Sequence, residues 1–121
     1  MKQNQENKNL DSVICKIGYQ IAEKILQKKE ESVIEKALGV LNSDGVYAYY
    51  VYIKSKGVDN ILLDEIADLM KYTDTKLTNK NYKQYFERLS NNLYDLLFFK
   101  GILEQTLTYA RYHLKAREKN E

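Results

Sequence analysis

A chain of 121 residues with a formal charge of +2 is one domain's worth, enough to bury a single core without disulfides or a metal. That charge is too small to mark a nucleic-acid binder by itself, so any basic surface has to be local. Proline is absent and glycine occurs only 5 times, which leaves little to punctuate the chain and favours an all-α domain. Cys15 is the only cysteine, which excludes a disulfide framework or a cysteine-based metal site within one chain, and its place on a helical stretch predicts a buried thiol. The opening MKQNQENKN has no signal-peptide core, and no apolar run approaches the roughly 20 residues that span a bilayer. The expectation is a cytoplasmic protein without membrane contact, with a flexible tail over 1–10 and one helical domain over 11–119.

In chain order, Val13, Ile17, Ile21 and Ile25 recur at helical spacing after Asp11 or Ser12 as caps, which predicts a helix to about Lys28. A second, short helix is predicted from Ser32, with Glu35 completing a capping box. The next segment, GVYAYYVYIKSKG, has strand-forming residues but helical punctuation: Asp44 as N-cap, Gly57 after the last turn, Lys54 and Lys56 where cations suit the helix dipole. No other run could pair with it as a strand, so a largely buried helix over 45–56 is predicted. A fourth helix is capped near Asp59 or Asn60, with Leu62, Leu63, Ile66, Leu69 and Met70 inward and Asp64, Glu65 and Asp68 outward. TDTKLTNKN reads as a mobile loop. Tyr82, Tyr85, Phe86 and Leu89 then start a shorter helix, SNN at 90–92 breaks it, and Leu93, Leu96, Leu97, Leu103, Leu107, Ala110 and Leu114 carry a long final one. The sum is a single-domain bundle of about six helices.

Catalytic chemistry finds little to work with. The chain carries no P-loop, dinucleotide fingerprint or HExxH motif, and its one histidine, His113, has no neighbouring ligand in sequence. Adjacent pairs such as Asp64/Glu65 point in different directions on a helix and read as solvated faces. No enzyme, cofactor, metal or small-molecule substrate is expected. A binding surface is better supported: Lys16, Lys24 and Lys28 form a stripe beside the isoleucines, and Arg111 and Lys115 stand one turn apart, followed by Arg117 and Lys119. Tyr109 and Tyr112 lie among these last cations, where aromatic faces stack unpaired bases while cations hold phosphates. The bland alternative is that the stripes only keep the surface solvated.

DGVYAYYVYIKSKG, followed by LEQTLTYARYHLKA, resembles the small α-helical subunit of CRISPR effector complexes, most closely that of the Cmr module of type III-B systems. Asp44, Gly45, Ser55, Lys56 and Gly57 match the family's central segment, and Leu107, Tyr109, Tyr112 and Lys115 match its closing helix. Asp44 stands where asparagine is commoner and Tyr112 where tryptophan is, so the small subunits of type I-A and of the Csm branch stay open. The resemblance implies a non-catalytic subunit present in several copies, stacked beside guide RNA and target nucleic acid with the other effector subunits. Backbone contacts are carried over to Lys56 and Lys115, and Arg111 follows one turn before Lys115. A reading of a different class is a homodimeric adaptor or regulator that binds protein partners, and no nucleic acid, through Tyr47, Tyr50 and Tyr52.

Overall fold

The computed structural model describes residues 2–120, and the side chains of residues 9–118. Among the described residues it holds helices α1 (Lys2–Lys28), α2 (Ser32–Asp44), α3 (Val46–Lys56), α4 (Asp59–Leu62), α5 (Ala67–Met70), α6 (Tyr82–Leu89) and α7 (Leu93–Asn120), and no strand. With α4 and α5 taken as one interrupted helix, this is the expected six-helix, all-α domain.

The isoleucine stripe of α1 is the floor of the core: Ile14, Ile17, Ile21 and Ile25 are buried against α7. Asp11 and Ser12 do not cap this helix; they lie within it. Of the tail expected over 1–10, residues 1–8 lie outside the described side chains, while Leu10 joins the core, so the domain begins before residue 11. Cys15 faces outward, correcting the expected buried thiol, because the buried stripe passes through its neighbour Ile14. Lys29, at φ 58°, ends α1 in the left-handed region, with Glu30 N–H donating to the Ile25 carbonyl.

Two predicted caps are absent at α2 and α3, and at α4 the cap position falls on Val58 instead of Asp59 or Asn60, with no side-chain hydrogen bond there. Ser32 is the first helical residue of α2, Glu31 occupies the cap position, and no side chain accepts there. Asp44 ends α2, and Gly45 separates α2 from α3 at φ 96°. The far end of α3 is as read: Gly57 adopts φ 68° and its N–H reaches the Ile53 and Lys54 carbonyls. The tyrosine-rich segment is thus helical, but only one of its sides is covered. Val46, Tyr49 and Ile53 are buried, and Tyr49 donates to the Leu62 carbonyl at 2.7 Å, while Val51 is exposed.

The predicted fourth helix unwinds between α4 and α5. Ile61, Leu62 and Leu63 stand at 100° intervals on a helix and cannot all face one side. The turn through Leu63 and Ile66 lets all of them, with Leu69 and Met70, reach the core.

Candidate nucleic-acid interface

α1 and α7 run parallel and touch where Gly18 lies against the other helix. A methyl group on Gly18 would sit 2.9 Å from Tyr109 Cβ, 3.1 Å from the Thr106 carbonyl oxygen and 3.3 Å from the Ala110 nitrogen. This close approach brings the outer edges of the two helices together. Along their seam Tyr19 meets His113 edge-on at 5.3 Å between ring centroids, and one turn further Arg117 pairs with Glu23. Tyr112 is exposed beside this pair. Neither the Tyr19–His113 contact nor Gly18 was visible in the sequence pattern; a glycine inside the isoleucine stripe was the one available signal.

The predicted basic residues fall into different circumstances. Lys16, a turn before Tyr19, and Lys115, a turn after Tyr112, are exposed and make no ion pair among the described residues. Lys24 pairs with Glu65, and Lys28 donates to the Asn60 side chain at 3.3 Å, so the lower part of the lysine stripe is tied to the α4–α5 turn. Arg111 holds Glu35 of α2 at 2.9 Å. Lys56 lies 5.6 Å from the centre of the Tyr52 ring, at the opposite end of α3 from Tyr47. Lys119 lies outside the described side chains.

The tyrosines proposed as a partner surface are also divided. Tyr50 stacks on Phe86 at 5.2 Å and is half-buried, and the Tyr52 hydroxyl is buried. Of the three, only Tyr47 presents a large exposed ring, because the α3 wheel turns the other two toward α6 and the rim of the core.

The loop predicted to be mobile is anchored. Asp95, 7% exposed in the first turn of α7, accepts from the Asp74 amide at 3.1 Å, the Thr75 amide at 2.8 Å and the Thr75 hydroxyl at 2.6 Å. Burial alone would push this carboxyl up, but the Thr75 hydroxyl and the two amides outweigh it and hold it below the usual carboxylate range. Beside it Thr73 donates to the Met70 carbonyl at 2.7 Å and shares a hydrogen bond of 2.7 Å with the Tyr85 hydroxyl. Every polar group of this cluster is engaged in holding the loop, so the cluster reads as structural.

Comparison with protein-family models, curated proteins and solved structures finds no match to the chain.

Proposed function

We propose that this protein is a non-catalytic small subunit of a CRISPR effector complex that lies along guide RNA and target and grips their backbone through the α1/α7 seam. The observation that carries the reading is the Tyr19–His113 ring contact on the seam, with Tyr19 and Tyr112 exposed and Lys16, a turn before Tyr19, exposed and without an ion pair among the described residues. Lys115, a turn after Tyr112, is also exposed and lines a groove with Glu31, Glu35 and Glu118. Aromatic faces stack on bases of any identity, and ammonium groups hold phosphates without reading sequence. Support also comes from the residues of the family resemblance: Leu107 is buried while Tyr112 and Lys115 of the same helix face outward, the division a binding helix needs.

The test is anisotropy of labelled single-stranded RNA across a salt series. Lys16→Glu with Lys115→Glu is the informative pair, since Arg111→Glu would also set two carboxylates against each other at Glu35. Neutralising a phosphate on a single strand contributes a slope of about −0.7, so removing two cations should flatten the log–log dependence by roughly 1.4 and weaken binding to every sequence alike. Tyr19→Ala with Tyr112→Ala should weaken binding while leaving the slope unchanged. If neither pair alters affinity while helicity is retained, the basic residues only solvate the surface and the adaptor reading takes over.

A further inference from the structure

The first turns of α7 present a largely exposed apolar face among the described residues. Leu93 is 66% exposed, Tyr94 89%, Leu97 60% and Phe98 42%, although leucine spacing predicted Leu93 and Leu97 to be inward. The core side of this helix begins instead at Asp95 and Phe99, which turns its leucines out. These four residues share one helical face, and Gly101 lies at its centre two turns after Tyr94, with open space where a side chain would be. Tyr47 continues the surface across the groove it lines with Leu96, Leu97 and Lys100.

We propose that this face pairs with its own counterpart on a second copy, as an antiparallel two-fold contact of α7 centred between Leu97 and Phe98. One feature of the face favours a copy of itself over another partner. In that register Tyr94, the most exposed large side chain, falls on Gly101 of the other copy, and Leu97 falls on Phe98, so a ring meets a gap and apolar meets apolar. Between Leu93 and Gly101 the charged residues are Asp95, which is buried, and Lys100, at the edge of the face beside Leu97. The area also suffices. An aromatic side chain offers roughly 150–250 Å², so at these exposures each copy has on the order of 500 Å² to contribute, and covering all of it brings the pair to about 1,000 Å², the threshold for a specific interface. The contact lies at the opposite end of α7 from Tyr112 and Lys115, so it stands whether or not the seam binds RNA.

Sedimentation equilibrium of the full chain without nucleic acid tests this. A monomer–dimer equilibrium is expected, with a dissociation constant of roughly 1–100 µM for an interface of this size. Leu97→Glu should weaken it at least tenfold without changing the circular dichroism spectrum, because Leu97 supports no core contact. Gly101→Leu separates pairing from folding: it should raise the melting temperature, as removal of a helix glycine does, while weakening the dimer by filling the space under Tyr94. Leu97→Cys in a Cys15→Ser background should form a disulfide between copies on mild oxidation, and Gln105→Cys should not. A chain that stays monomeric to several hundred micromolar, or a dimer indifferent to both Leu97→Glu and Gly101→Leu, overturns the proposal.

Discussion

Gly18 and Asp95 carry more of this fold than their small share of the sequence suggests. At Gly18 two effects of alanine oppose each other: removing a helix-interior glycine gains about 1 kcal/mol, while overpacking a close contact costs about 1–3 kcal/mol. The nearest obstacles are the root of the Tyr109 side chain and backbone atoms of Thr106 and Ala110, which move only if the helices separate. Gly18→Ala should therefore be net destabilising, by up to about 2 kcal/mol, read as a lower urea midpoint at constant slope. Gly39→Ala, in α2 with open space around it, should stabilise. Asp95 makes its contribution through ionisation. Its folded pKa lies below the unfolded value of about 3.9, so the unfolded chain binds more protons in the interval and stability rises with pH there. The contribution is complete above the unfolded pKa and is lost as pH falls through the folded one. In Asp95→Asn an amide group must face one of the donors from Asp74 or Thr75, costing about 1–3 kcal/mol at neutral pH. Parallel melts of wild type and variant from pH 7 down to pH 2 should show the gap narrowing as the wild-type carboxylate is protonated; a constant gap would exclude ionisation as its source.

At the level of helices, α1 and α3 end in the same way with different residues. In both, the residue after the helix takes a left-handed conformation and the amide beyond it reaches back to the helix, from Glu30 to Ile25 and from Val58 to Ile53. Lys29 occupies the position in one and Gly57 in the other, and an L-residue with a side chain pays about 1–2 kcal/mol there. Lys29→Gly should then stabilise the protein by roughly 0.5–1 kcal/mol after the added freedom of the unfolded chain is subtracted, and Gly57→Ala should destabilise it by about 1 kcal/mol. Thermal melts with opposite signs at the two positions would bear this out. Gly57 was legible because glycine announces such an ending, and Lys29 was not because lysine does not. The same contrast runs through the chain. Apolar spacing located α1, α2, α6 and α7, while Gly57, the terminal lysines and the lack of a run to pair with settled helix against strand for Val46–Lys56. It misjudged what depends on a neighbour: which side of α7 is covered at Leu93 and Leu97, why Ile61–Leu63 unwinds, and the anchoring of Asp74 and Thr75 by a carboxylate far along the chain. The basic stripe was visible as spacing, but Glu65 and Glu35, which engage Lys24 and Arg111, come from other helices.

In the whole molecule the two ends of the chain form the central pair, so α1 has its proper partner only after everything between has been made. Parallel α1 and α7 cannot be joined by a short turn, and closing so long a loop costs entropy that only the completed interface repays. α7 supplies Phe99, Ile102, Leu103, Leu107, Ala110 and Leu114 to the core, and through Asp95 it also holds the segment between α5 and α6. Burial of a large apolar side chain contributes roughly 1.5–3 kcal/mol, so the loss of this set is comparable with the 5–15 kcal/mol by which a domain is usually stable. A fragment ending at residue 92 should accordingly keep some helical ellipticity in α1 yet show no cooperative melt and bind dyes that report exposed apolar surface. Co-expression of residues 93–121 as a separate chain should restore a sharp transition, because the α1/α7 contact is made by packing and needs no covalent link. A fragment that melts cooperatively by itself would mean that α2 to α6 hold a core of their own, and that α7 is an addition to the fold rather than its centre.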